Sequence, residues 1–205
     1  MIALTKPHIR LEIWGFVAAL IAANFMLLLG RVCEPLVFFP SQWAAGEWWR
    51  ALTFPFVHAS GYHLLLDASA FLFLYHGLQE TSARRRLLLV IACAASSLGA
   101  SLIASPLTGG LCGLSGIAHG LMVVSALEIM KSPDHALRNA GMICFIAVVL
   151  KSIYEAFTGT IAFGFLHFGT IGNAVPICHA GGVLGGIFAY GIFNYRPLRR
   201  KTWQR

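Results

Sequence analysis

Six long apolar stretches restrict this chain to a membrane-embedded fold. Each approaches the roughly 20 residues that a helix needs to cross a bilayer. Of all residues 58% are hydrophobic and only 11% are charged, which excludes an ordinary soluble domain. We predict an all-α membrane protein in which six transmembrane helices form a single domain over residues 1–205. The predicted spans lie near 11–29, 62–78, 87–105, 111–130, 140–157 and 175–193.

The net charge of +7 is explained by membrane topology. With the N-terminus in the cytoplasm, 12 of the 15 Lys and Arg residues fall on the cytoplasmic side of the predicted spans. Arg31 and Arg50 lie on the other side, and Lys151 lies within a span. Because cytoplasmic loops of membrane proteins are enriched in Lys and Arg, we expect both termini in the cytoplasm and no nucleic-acid partner.

A serine and a histidine stand out within the apolar stretches. Ser115 lies between Gly113 and Gly116 at the start of the fourth predicted span, and His179 opens the sixth. A polar side chain is costly in hydrocarbon unless it pairs or lines a water-filled cavity. We therefore predict an intramembrane hydrolytic site in which Ser115 is the nucleophile and His179 is its base.

Small residues predict how the fourth and sixth spans meet. Gly116 and Gly120 in one span, and Gly182 and Gly186 in the other, are each four residues apart. This spacing lets two membrane helices approach closely. We expect the contact to bring the predicted nucleophile and base within hydrogen-bonding distance.

Two further polar pairs have helical spacing. His63 and Asp67 share one face of the second span, and Lys151 and Glu155 share one face of the fifth. An unpaired charge at that depth would be expensive, so we expect Lys151 and Glu155 to neutralise each other.

The segment 31–61 between the first two spans is a long loop rich in tryptophan and phenylalanine. These residues favour the membrane interface, so we expect the loop to lie partly in the outer leaflet. The five cysteines are odd in number and lack metal-site spacing, so most are expected to be apolar fillers. A disulfide or thiol role stays open for Cys112 and Cys178, which adjoin the predicted site.

Taken together, these residues resemble the rhomboid intramembrane serine proteases. The resemblance covers most of the chain, in the expected order: Glu47, Trp49, Arg50, Thr53, Phe56, His58 and His63, then Gly113, Leu114, Ser115 and Gly116, then His179, Gly182 and Gly186. It implies a rhomboid-like bundle and catalysis by a Ser115–His179 dyad with no third carboxylate, cofactor or metal. It also implies an oxyanion site beside His63 and Asp67, and a first loop braced by Trp49, Arg50 and His58.

Within that family the chain looks most like the rhombosortase branch, because of its small size, the sequence of residues 113–120, and Lys151 and Glu155 followed by Gly159. The resemblance implies an integral protein of the bacterial inner (cell) membrane. Ser115 and His179 lie near the outer ends of their spans in the topology that the charges predict, so we expect the active site to open to the extracytoplasmic side. Implied partners are the lipid bilayer and a transmembrane or membrane-anchored protein substrate, with C-terminal Gly-Gly-type sorting tails of secreted proteins as a candidate class.

Two residues depart from the usual rhomboid pattern. Asp67 stands where an asparagine is common, and it could either donate to the oxyanion as a protonated acid or stay ionised and orient His63. We favour the protonated donor. His119 stands where an aromatic ring often packs on the catalytic histidine, and we expect it to pack beside His179 and orient it.

Two other functions remain open at this stage. A rhomboid-like protein without catalysis could bind transmembrane helices, although both Ser115 and His179 are present. A metal-dependent membrane hydrolase could use His58, His63, His119 or His179, although the chain has no His-Glu-x-x-His motif.

Overall fold

The structure is a computed structural model that describes residues 10–104 and 107–194. The basic residues expected near both termini, apart from Arg10, and Ser105 at the end of the third predicted span, lie outside the described residues. Eight α-helices form within the described ranges: α1 (Leu11–Asn24), α2 (Pro40–Ala44), α3 (Arg50–Thr53), α4 (Gly61–Gly77), α5 (Ala83–Ala104), α6 (Ser115–Ile129), α7 (His135–Thr158) and α8 (Ile177–Asn194). These described ranges contain no β-strand, and Phe38 and Leu111 form an isolated antiparallel bridge.

Four segments are long and apolar enough to cross a membrane, namely Leu11–Leu29, Ala83–Ala104, His135–Thr158 and Ile177–Asn194. The predicted all-helical architecture is thus confirmed. The remaining long helices, α4 and α6, have 17 and 15 residues. At 1.5 Å per residue α6 is about 22 Å long, which is shorter than the roughly 30 Å of a hydrocarbon core.

The helix α5 starts earlier than predicted, at Ala83 instead of 87. The apolar run of this span begins after Arg86, so the span was predicted from 87. In the structure, however, the Arg86 side chain is buried and forms hydrogen bonds and an ion pair within the protein. Its guanidinium donates to the carbonyl oxygens of Glu80 at 2.9 Å and Thr81 at 2.8 Å, and it pairs with Glu12. The helix can therefore begin before the apolar run does.

The helices α6 and α7 also start at different residues from those predicted. The fourth span was expected from 111, but Leu111 exchanges backbone hydrogen bonds with Phe38 and so cannot be helical. The fifth was expected from 140, but α7 starts at His135. There the Asp134 carboxylate accepts the backbone N–H groups of Ala136 and Leu137, an N-cap that hydropathy does not detect.

Helix α6 lies at the centre of the bundle, where it contacts α4, α5, α7 and α8. Its contact with α8 includes a close approach of backbone atoms. A Cβ atom added to Gly182 would overlap the carbonyl group of Gly116, and one added to Gly186 would lie 2.5 Å from the carbonyl oxygen of Gly120. The predicted close approach of these two helices is confirmed.

Hydrogen bonds from charged side chains join the turns at one end of the bundle. Arg10 donates to the carbonyl oxygens of Tyr75 and Leu78, at 2.7 and 2.6 Å. The Glu128 carboxylate accepts the backbone N–H groups of Gln79 and Glu80, at 2.8 and 3.1 Å. The N-termini of α4, α6 and α8 lie at the opposite end, where the predicted site residues gather.

Candidate functional site

A cavity of about 340 Å³ lies at this opposite end, between α4, α6, α7 and α8. Its lining includes His63, Asp67, Ser115, His119, Cys178 and His179. The structure therefore brings together the predicted nucleophile, base and oxyanion residues in one place. The rest of the lining is mainly apolar, so these polar side chains meet in a cavity large enough to admit water.

Ser115 is the first residue of α6, and the chain before it is held tightly. Gly113 has a φ of +104°, and a Cβ atom there would lie 2.7 Å from Asp67 Oδ2. The next residue, Leu114, donates its N–H to Asp67 Oδ2 at 2.8 Å. No side chain of the described residues caps the N-terminus of α6, so its first N–H groups can bind developing negative charge.

The predicted hydrogen bond between Ser115 and His179 is not formed in the described part of the chain. Ser115 Oγ is instead in hydrogen-bond contact with Cys178 Sγ, at 3.8 Å. Cys178 precedes His179 on α8. Helix α8 therefore contacts Ser115 through Cys178, while the His179 ring is not hydrogen-bonded to Ser115. All five cysteines are free thiols.

His179 is held from behind by a buried carboxylate. Its Nδ1 atom lies 2.7 Å from Glu155 Oε2. The other oxygen, Oε1, accepts from Lys151 Nζ at 2.7 Å and from the backbone N–H of Ala162 at 2.9 Å. The predicted pairing of Lys151 with Glu155 is confirmed, but Glu155 has a second partner that the sequence did not indicate.

His119 stacks on His179, as predicted, with ring centroids 3.9 Å apart and an interplanar angle of 12°. Its Nε2 atom lies 2.9 Å from Lys151 Nζ, and its Nδ1 atom lies 2.8 Å from the carbonyl oxygen of Ser115. An ammonium group only donates and a carbonyl oxygen only accepts. Nε2 therefore accepts and Nδ1–H donates, so both nitrogens of His119 are engaged.

Asp67 acts as an acceptor in this site. Besides the Leu114 amide, its Oδ2 atom lies 3.2 Å from His63 Nε2 and 3.5 Å from His58 Nε2. His63 Nδ1 accepts the N–H of Ala59 at 3.3 Å, so the His63 proton sits on Nε2, towards Asp67. These contacts are those expected of an ionised Asp67 that orients His63, and not of the protonated donor favoured from the sequence.

The Rhomboid domain family matches residues 45–196, which are 152 of the 205 residues. The chain belongs to the rhomboid family. No curated protein matches the chain. Rhomboid proteins are integral membrane proteins and generally intramembrane serine proteases, some of them inactive.

The first loop of this rhomboid protein is organised around Arg50, which is buried. Its Nη1 atom donates to the carbonyl oxygens of Glu34 and Val37, both at 2.6 Å, and its Nε atom pairs with Glu47 at 2.6 Å. Trp49 adds an indole N–H bond to the carbonyl oxygen of Pro35 at 3.2 Å. Both residues therefore lie where the family resemblance expects bracing residues.

His58 is fully buried beneath that loop, and its Nε2 atom faces Asp67 Oδ2 at 3.5 Å. Its backbone N–H donates to Asn24 Oδ1 at 2.9 Å, while Asn24 Nδ2 donates to the carbonyl oxygen of Phe56 at 2.7 Å. Asn24 thus ties α1 to the loop. Sequence reasoning missed this residue, although an asparagine inside an apolar span is the kind of signal that could have found it.

One group of side chains in the described residues has a geometry compatible with a metal ion. Ligand atoms of His119, Glu155 and His179 all lie within 4.8 Å of one another. The Lys151 ammonium is bonded to both His119 and Glu155, and its positive charge opposes a divalent cation at that position. The hydrogen-bond network therefore fits the ammonium group better than a metal.

Proposed function

We propose that this rhomboid protein is an intramembrane serine endopeptidase that cleaves transmembrane segments of membrane-anchored substrates. Ser115 is the nucleophile, and His179 is the general base and later the general acid. This assignment rests on the different hydrogen bonds of the two histidine rings at the cavity, His119 and His179. Both nitrogens of His119 are hydrogen-bonded, whereas Glu155 engages Nδ1 of His179 and leaves Nε2 to take a proton from Ser115.

The proposed reaction follows from these positions. Ser115 Oγ attacks the scissile carbonyl carbon as His179 Nε2 takes its proton, and the leaving amine then receives that proton. Water then attacks the resulting ester: His179 Nε2 takes a proton from the water and returns it to Ser115 Oγ as the acid product leaves. Ser115 and His179 must come into contact as substrate binds, and catalytic hydrogen bonds often tighten only in the substrate complex.

The developing oxyanion is proposed to lie at the N-terminus of α6. The uncapped first-turn N–H groups are its donors. His63 and Asp67 flank them, and Asp67 accepts from the Leu114 amide and faces the Nε2–H group of His63. In this role Asp67 supports the site through its neighbours. Gly113 leaves room for Asp67 and His63 beside the serine, and Gly116, Gly182 and Gly186 set the distance between α6 and α8.

The proposed topology has six spans in one domain, with both termini in the cytoplasm. Because α6 has only 15 residues, we propose that it begins below the outer membrane surface, with Ser115 within the membrane. The cavity opens to the extracytoplasmic side because the basic turns lie at the other end of the bundle. Water for deacylation enters from that side.

The substrate class and the branch of the family are proposed from sequence resemblance. Lys151, Glu155 and Gly159 suit the rhombosortase branch, so a C-terminal Gly-Gly-type tail with its hydrophobic helix is the first substrate to test. We propose a bacterial inner-membrane location on the same basis.

The test is cleavage of a fluorescent transmembrane reporter carrying such a tail by the purified protein in proteoliposomes. We expect cleavage that is insensitive to chelator and that Ser115→Ala and His179→Ala each abolish without loss of folding. Loss of activity in chelator would favour a metal-dependent hydrolase. Binding of the reporter without cleavage by the wild-type protein would favour a catalytically silent rhomboid.

A further inference from the structure

The carboxylate behind the predicted base has no counterpart in the dyad that the family resemblance implies. Glu155 is fully buried and lies on α7, the helix that precedes α8 and packs against it. Its two carboxylate oxygens have different hydrogen-bond partners. Oε2 meets His179 Nδ1 at 2.7 Å, while Oε1 receives Lys151 Nζ and the Ala162 N–H.

We propose that Glu155 is a positioning residue that converts the pair into a Ser115–His179–Glu155 triad. This inference rests on the proposed function. A carboxylate accepts only from a protonated nitrogen, so Glu155 fixes the proton of His179 on Nδ1 and leaves the lone pair on Nε2. Only that tautomer can take the proton of Ser115.

The same contact stabilises the charge that appears during the reaction. When Ser115 Oγ bonds to the carbonyl carbon, its proton moves to Nε2 and His179 becomes a cation. The cation faces the Glu155 carboxylate, which stays ionised throughout, and the charge disappears when Nε2 gives the proton to the leaving amine. No co-reactant other than substrate and water is needed.

Lys151 and Ala162 keep the carboxylate in place. A buried carboxylate is costly unless it is paired and hydrogen-bonded, and these two donors satisfy Oε1. Lys151 also donates to His119, whose ring is stacked on His179. One network therefore fixes both the direction of the carboxylate and the plane of the base.

A purely structural role for Glu155 would be to neutralise Lys151. The two roles differ for Glu155→Gln, which has one acceptor oxygen where the carboxylate has two. If that oxygen serves Lys151 and Ala162, the amide NH₂ faces His179 Nδ1 and forces the proton onto Nε2. The base would then be held in the wrong tautomer while the fold survives.

The experiment measures the rate at which a fluorophosphonate probe labels Ser115 in the detergent-purified protein. We expect Glu155→Gln to label at least about 100-fold more slowly than wild type, within the range that general-base catalysis supplies. Reporter binding, measured in a Ser115→Ala background, should not change.

Glu128→Gln is the matched control, because Glu128 is another buried carboxylate that accepts two N–H groups, at the other end of the bundle. It should label at the wild-type rate. Folded Glu155→Gln that labels within threefold of wild type, with Ser115→Ala and His179→Ala inert, would overturn the triad and leave the protease proposal standing. Labelling or cleavage by Ser115→Ala would instead overturn the proposed function, in which Ser115 is the nucleophile of a serine protease.

A measurement on the unmodified side chains covers the case in which Glu155→Gln does not fold. In ¹⁵N-histidine-labelled protein, the resonances that disappear in His179→Ala report the tautomer of this ring. We expect a protonated Nδ1 and an unprotonated Nε2. Protonated Nε2 with bare Nδ1 in the wild-type protein would overturn the assignment.

Discussion

The contact between α6 and α8 sets the distance from nucleophile to base, and Gly182→Ala tests it. The added Cβ would lie 2.6 Å from the carbonyl carbon of Gly116, whereas ordinary van der Waals contact starts at 3.4 Å. The carbonyl oxygen of Gly116 would lie nearer still, so the two backbones must separate by more than about 0.8 Å at this point. Overpacking of this kind costs about 1–3 kcal/mol of stability.

The expected loss of function is larger than the loss of stability. His179 lies one turn before Gly182, so the shift moves the base away from Ser115. A misplacement of about 1 Å can cost on the order of 100-fold in rate. We expect fluorophosphonate labelling of Gly182→Ala to fall at least tenfold at a temperature where the protein is still folded, measured together with its thermal unfolding in detergent.

Gly191→Ala is the control on the same helix, because a Cβ atom at Gly191 would have no heavy atom within 4 Å. It should label at the wild-type rate and unfold at the same temperature or slightly higher, since alanine favours a helix more than glycine does. Gly182→Ala with wild-type labelling and unfolding would refute the argument that backbone contact between α6 and α8 positions the base.

Three further substitutions probe the surroundings of the site. Asp67→Asn removes the charge that orients His63, so labelling should fall about tenfold or more, equivalent to about 1.4 kcal/mol of barrier; an unchanged or faster rate would restore the protonated-donor role. His119→Tyr should retain measurable labelling, since a phenol ring can still stack on His179; complete loss there, with His179→Ala still active, would make His119 the base. Arg50→Ala should lower the free energy of unfolding by about 1.5–3 kcal/mol, because charge-assisted hydrogen bonds in the first loop are lost, and an unchanged denaturation midpoint would contradict its bracing role.

The sequence predicted those parts of the site that depend on spacing along one helix. Lys151 and Glu155 are four residues apart and pair as expected. The glycines of α6 and α8 meet because small residues at a four-residue interval mark a helix contact regardless of the helices' order in the chain. The family resemblance added the expectation that His119 packs beside His179, and the two rings stack.

The sequence could not predict contacts that depend on how neighbouring helices rotate. Glu155 and His179 are on different helices, and their meeting depends on the packing of α7 beside α8. The sequence therefore indicated the pairing of Glu155 with Lys151 but not its contact with His179. Asp67 shows the same limit, because the Leu114 amide that it accepts lies 47 residues away.

The most direct test of the account is to find which residue a fluorophosphonate probe modifies in the wild-type protein. The purified protein is labelled in detergent, digested and analysed by mass spectrometry. We predict one adduct, on Ser115, that is absent from Ser115→Ala and from His179→Ala while both remain folded. An adduct on any other residue, or undiminished labelling of Ser115 in His179→Ala, would contradict the assignment of Ser115 as a nucleophile activated by His179.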